Sequence, residues 1–182
     1  MIKETSEWLY LNNAADTVRY ILGEKGENML ACIGINPSTA RPNELDNTLK
    51  SVKRISQFNG FDGWVMFNLY PQRSTDPAHL HKKMDHELHQ INTEILRQSI
   101  QDLGIDTIWL AYGDLIETRA YLSYCLTSLY SHLKPLNLKW KIIVEPTQKG
   151  HPRHPLYKPT KSLFIDFDMG KYVNEKLSPK QP

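Results

Sequence analysis

The chain has 182 residues, 40% of them apolar, with four Trp, nine Tyr and five Phe, enough to build the core of one domain and to exclude global disorder. Lys and Arg number 22 against 20 Asp and Glu, so the formal net charge is only +2, a balance that does not announce a nucleic-acid coat or a polybasic membrane anchor. No apolar run approaches the ~20 residues of a membrane span, and the polar opening MIKETSEWLY has no signal core, so the expectation is a soluble, cytoplasmic protein without a membrane partner.

In chain order, Trp8–Leu11 and Thr17–Leu22 read as an edge hairpin or a short helix, with the hairpin favoured. Met29–Ile35 is almost continuously apolar and predicts a strand covered on both faces. Leu45, Leu49, Val52 and Ile55 form a helical stripe, with Lys50, Lys53 and Arg54 turned outward and Asp46 or Asn47 as its cap. Trp64–Tyr70 is a second buried strand. Met84, Leu88, Ile91 and Ile95 predict a second helix, capped by Asp85. Thr107–Tyr112 is a third strand, Leu115, Leu122, Leu126, Leu129 and Leu133 mark a third helix, and Lys141–Val144 is a fourth strand. This alternation predicts a three-layer α/β/α domain over residues 1–172, with a four-stranded, mainly parallel central sheet and a frayed tail over 173–182. Cys32 and Cys125 sit in apolar runs and are expected as buried free thiols.

Ligands of open α/β sheets bind beyond the carboxyl ends of the strands, which turns the sequence into a map of the site. The first strand leaves through Gly34-Ile-Asn-Pro-Ser-Thr-Ala40, where Gly34 allows close backbone approach, Pro37 stiffens the turn, and Asn36 and Ser38 are polar. The second ends in Asn68, Tyr70 and Arg73, the third in Tyr112 and Gly113. Asn68 lies inside an apolar strand, and a buried amide must find partners. Its donor pair and acceptor suit either the edge of a base or the anchoring of a loop. After the fourth strand comes GHPRHPLY, in which three prolines brace His151, Arg153 and His154. Histidine can donate to a developing anion, and arginine can hold a phosphate. Pro146–Ile165 carries Lys149, Arg153, Lys158 and Lys161 with no acid, which makes it the natural place for a phosphate-bearing partner.

Other chemistry is disfavoured. The phosphate-loop pattern GxxxxGK[ST], the nucleophile elbow GxSxG and the metal motif HExxH are absent, so no cofactor or metal is expected. Asp85, His86 and His89 have helical spacing that invites a metal reading, but their charged surroundings predict a solvated face.

Taken together, GINPSTA, FNLYPQRSTDP, the aromatic-Gly pair after the third strand and GHPRHPLY closely resemble the bacterial family catalogued as domain of unknown function 1643, over about Arg19 to Tyr157. The same blocks in the same order are more distantly similar to the uracil-DNA glycosylase superfamily. That resemblance implies that Asn36 positions water, that Asn68 reads the base edge, that His151 or its rival His154 stabilises the leaving base, and that Leu156 approaches nucleic acid. Ser38 and Thr39 replace the aromatic residue and histidine of the most active branch, and an amide at Asn36 cannot take a proton, so any hydrolysis should be weak. The expected function is binding of a nucleobase, nucleotide or nucleic-acid base, with N-glycosidic hydrolysis as its implied reaction and Lys149 and Arg153 holding phosphate. A hydrolase of small phosphorylated metabolites and a non-catalytic ligand-binding or interaction module are the alternatives.

Overall fold

The computed structural model describes residues 7–177. A seven-stranded sheet runs through it: β1 (Trp8–Asn12), β2 (Arg19–Glu24), β3 (Met29–Gly34), β4 (Gly63–Asn68), β5 (Thr107–Leu110), β6 (Lys139–Ile143) and β7 (Phe164–Asp166), in the spatial order β1-β2-β4-β3-β5-β6-β7. β4, β3, β5 and β6 are parallel neighbours and correspond to the four strands expected from the apolar runs. The expected count of four is corrected by three further, antiparallel strands. β1 and β2 form the favoured hairpin, β2 adds antiparallel to β4, and β7 adds antiparallel to β6. The two edge strands, β1 and β7, are short and largely half-buried, without the continuous apolar run of a strand buried on both faces.

Side-chain alternation splits the core into two layers. Met29, Ala31 and Ile33 face one way, into a cluster with Leu96 and Ile100 of α2 (His86–Asp102) and Leu122, Leu126 and Leu129 of α3 (Ala120–Leu133). Leu30 and Cys32 face the other way, onto Leu49, Val52 and Ile55 of α1 (Asn47–Phe58). Helices therefore cover both faces of the sheet. Asp46 caps α1 by accepting from the Leu49 N–H at 2.8 Å, and Asp85 caps α2 by accepting from the Leu88 N–H at 3.0 Å.

Two expectations about the helices are corrected. Leu115 falls in a 3-10 segment before α3 and is exposed. The buried face of α2 carries His89, Asn92, Leu96 and Ile100, while Ile91 points to solvent. His89 is thus not on a solvated face. Packing on the sheet selected a face with three polar members, His89, Asn92 and Thr93, which apolar periodicity alone cannot find. Cys32 and Cys125 are buried and free, and burial pushes both thiols up, that of Cys125 to about 12.

The tail is also corrected in part. After α4 (Met169–Tyr172), residues Val173–Leu177 continue as a π-helical turn, and Val173 and Leu177 pack into the α2/α3 core. Residues 178–182 lie outside the described residues. Deleting 173–182 is therefore expected to lower unfolding stability by about 2–4 kcal/mol, from the loss of two buried apolar side chains. Denaturant midpoints of the full and shortened chains check this, and equal midpoints would mean that the turn contributes no packing.

Candidate functional site

Three segments that leave the sheet at its carboxyl rim enclose one cavity of about 430 Å³. The ladder between β3 and β4 extends past the strands, since Leu69 N–H donates to Gly34 O and Tyr70 N–H to Ile35 O, both at 2.9 Å. Gly34 lies opposite Asn68 in this register. A methyl group on Gly34 would stand 3.0 Å from the Asn68 Oδ1 and 2.5 Å from the Met66 Cε, so the glycine makes room for the amide beside it.

Asn68 is 1% exposed and lines the cavity, and neither Oδ1 nor Nδ2 has a hydrogen-bond partner. Its backbone carbonyl is held at 2.9 Å by the side-chain amide of Asn92 from α2. The strand end is thus fixed while the functional group is left open. Asn36 lines the same cavity in a different state. Its Nδ2 donates to Ser74 O at 2.8 Å and Pro37 O at 3.2 Å, and Ser74 N–H returns a bond to Pro37 O at 2.8 Å. These bonds staple the loop after β3 to the loop after β4. They assign the amide orientation, leaving the Asn36 Oδ1 as its available acceptor. The Ser38 hydroxyl, also on the wall, donates to Asp46 at 2.5 Å.

The proline-braced loop closes the third side and decides between its two histidines. His151 is buried away from the cavity, with Nδ1 2.7 Å from the Tyr172 hydroxyl and Nε2 3.1 Å from Glu117. Both nitrogens are committed, so His151 ties the loop to the C-terminal helix. His154, three residues on, lines the cavity. It rests on Gly113, whose φ of +61° would strain any side chain and where an added Cβ would stand only 3.1 Å from the His154 Cβ. Gly113 N–H also donates to Pro152 O at 2.9 Å, which seats the loop. The Leu156 N–H donates to His154 Nδ1 at 3.2 Å, so Nε2 carries the ring proton. Burial lowers the His154 pKa, against a smaller upward pull from Asp46, and the ring is neutral at pH 7.

Leu156 and Gly34 also line the cavity. Other expected ligand contacts do not. Tyr70 packs inward, its hydroxyl 2.8 Å from His81 Nδ1 and accepting from Asp85 N–H, so it orders the approach to α2. Arg73 donates to Ser38 O, Ala40 O and the Tyr10 hydroxyl and pairs with Asp16, acting as a staple between loops. Tyr112 is fully buried. Lys149 pairs with Glu117, and Arg153 donates to Glu145 O at 2.7 Å; neither borders the cavity.

The wall also holds residues outside the expected set, among them the charged Arg19 and Asp46. Arg19 is 2% exposed, and it reaches the carboxyl rim because β2 runs antiparallel to β4, so that its first residue meets the end of its neighbour. An arginine between Val18 and apolar strand residues was the available signal, but it gains meaning only once the strand's direction is known. Asp46, expected as a helix cap, is also the cavity's carboxylate, among the described residues.

Away from this site, His86, His89 and His132 border a recess between α2 and α3, and His89 has no hydrogen-bond partner at either nitrogen. Among the described residues, no group of three or more His, Cys, Asp and Glu is placed to hold a metal ion. No helix among them is long and apolar enough to cross a membrane. Residues 19–156 match the family described as "Protein of unknown function (DUF1643)". No curated protein matches the chain.

Because His151 is a structural tie, His151→Ala is expected to lower stability by about 2–3 kcal/mol, and His154→Ala by about 1 kcal/mol or less. Denaturant unfolding of the two variants compares them directly, and the reverse order would exchange their roles. The pKa values of His89 and His154 are both lowered, chiefly by burial, so the folded chain binds fewer protons than the unfolded chain below about pH 6.5. Their contribution to stability is complete above that pH and is lost as the pH falls toward the lowered folded values. Unfolding midpoints should decline from pH 7.5 to 5, and His89→Leu should flatten the decline; an unchanged slope would contradict the assignment.

Proposed function

The chain belongs to the DUF1643 family of proteins of unknown function, and from the chemistry of its cavity we propose that it binds a nucleobase edge-on at Asn68, within a ligand of nucleotide size. The observation that carries this reading is the open amide. A buried amide with no partner is destabilising by about 1–3 kcal/mol, so it calls for a ligand that completes it. A lactam edge, with a carbonyl beside an N–H, matches the donor and acceptor of Asn68 in one plane. Ile35, Met66, Leu115 and Leu156 supply apolar surface for the faces of a ring, and about 430 Å³ lies in the range of small-ligand cavities.

The resemblance to the uracil-DNA glycosylase superfamily supports the same role for Asn68 and suggests the chemistry. In this reading Asn36 accepts a hydrogen from a water through its Oδ1 and orients it. Of the two candidate histidines, His154 donates from Nε2 to the charge that develops on the departing base. Such donors typically contribute a few kcal/mol to the transition state. Asn36 cannot take the water's proton, and Asp46 already accepts from Ser38 and Leu49, so hydrolysis of an N-glycosidic bond would be slow. A duplex-DNA enzyme neutralises several phosphates, and the engagement of Lys149 and Arg153 elsewhere favours a free nucleotide or a strand end over duplex DNA.

Calorimetric titration with uridine and inosine tests the binding. Saturable binding is expected, and Asn68→Ala should weaken it about tenfold or more. Absence of binding, or equal affinity in the variant, would contradict the reading. Stoichiometric protein on uracil-, hypoxanthine- and mismatch-containing oligonucleotides, and on free nucleotides, is expected to give slow base release that is lost in Asn36→Ala and His154→Ala. Failure to release base would remove the hydrolytic step.

A further inference from the structure

Arg19 places a buried positive charge in the cavity wall without a counter-ion. Its Nη1 donates to Ala40 O at 3.0 Å, its buried Nε has no partner, and it forms no ion pair among the described residues. Asp46 and Asp16 act on it only at a distance, and Arg73 repels it. Burial lowers its pKa from 12.5 to about 10, which still leaves it charged at pH 7. Burying an unpaired charge is among the most destabilising arrangements in a protein, and a charged ligand relieves it.

The helix α1 begins on the same wall, at Asn47 and Thr48. The cap carboxylate of Asp46 accepts from Leu49 N–H, while the N–H groups of Asn47 and Thr48 lie too early in the helix for any internal carbonyl to reach. Their direction and the positive end of a 12-residue helix favour an anion. The hydroxyls of Thr39 and Thr48 line this side too. Independently of the helix, the unpaired amide of Asn68 marks the cavity as a ligand site. Asp46 opposes an incoming anion, but its two oxygens are already engaged by the Ser38 hydroxyl and the Leu49 N–H.

We propose that Arg19 and the first turn of α1 hold a phosphate monoester, so that the ligand is a nucleoside monophosphate or a 5′-phosphorylated strand end. The base half of this statement rests on the reading of Asn68 given above; the phosphate half stands on Arg19. A guanidinium offers five donors in a planar fork, of which the protein uses one at Nη1, and a phosphate oxygen pair fits the remainder.

The test uses the whole chain and titrates uridine, inosine, their 5′-monophosphates, inorganic phosphate alone, and a short oligonucleotide with and without a 5′-phosphate. The monophosphates are expected to bind about ten- to a hundredfold more tightly than their nucleosides. Arg19→Gln should abolish that gap, and Arg19→Lys should keep part of it. Asn68→Ala should weaken nucleoside and monophosphate by the same factor. Equal affinity of nucleoside and monophosphate in the wild type, or a gap that survives in Arg19→Gln, would overturn the proposal. Should Arg19→Gln fail to fold, the wild-type ratio and Arg19→Lys decide the matter. Binding of inorganic phosphate that depends on Arg19, without binding of either nucleoside, would uphold the phosphate site and refute the base reading. A preference for the phosphorylated oligonucleotide over the mononucleotide would uphold the site and identify a strand end as its source.

Discussion

The arrangement depends on polar groups that the fold buries and does not satisfy. The Asn68 amide and the Arg19 Nε both lie at the carboxyl rim of an otherwise apolar sheet, with no partner for either. An orphaned amide is destabilising by about 1–3 kcal/mol, and an unpaired buried charge by more, against a total stability of about 5–15 kcal/mol for an ordinary domain. A chain that needed only to fold would be more stable with a leucine at 68. Retention of these groups is intelligible if a ligand completes them.

The surroundings hold the open groups still. The β3/β4 ladder runs past the strands to Leu69 and Tyr70, Asn92 grips the carbonyl of Asn68, and the Asn36–Ser74–Pro37 bonds join the two adjacent loops. On the far side His151 is spent as a bolt to Tyr172 and Glu117, and that bolt, with Gly113, fixes where His154 stands. Each rigid contact uses up a polar group next to one left free. Preorganisation of this kind lowers the ordering cost when a ligand binds.

Much of this was legible in the chain. Continuous apolar runs gave away the four parallel strands, and the short acidic residues before helical stripes located the caps Asp46 and Asp85. Asn68 stood out as a polar residue in an apolar strand, and Asn36 followed from its place after the first parallel strand. What stayed hidden was mostly direction. Arg19 reaches the site because β2 runs opposite to its neighbour, a fact of pairing that local pattern does not contain. His151 and His154 are equivalent in a proline-rich run until tertiary contacts turn one inward and the other to the cavity. Lys149 and Arg153 look like phosphate ligands by composition, yet Glu117 and the carbonyl of Glu145 take them first. His89 was misplaced for a related reason: the face of α2 that packs on the sheet includes polar residues.

The most direct measurement follows the side-chain nitrogen–proton resonances of Asn68 and the Arg19 Nε by heteronuclear NMR while a nucleoside monophosphate is added. The account predicts that both signals move and saturate at one common ligand concentration, because one molecule completes both groups. Resonances that stay fixed up to millimolar ligand, with shifts confined to the surface, would contradict it.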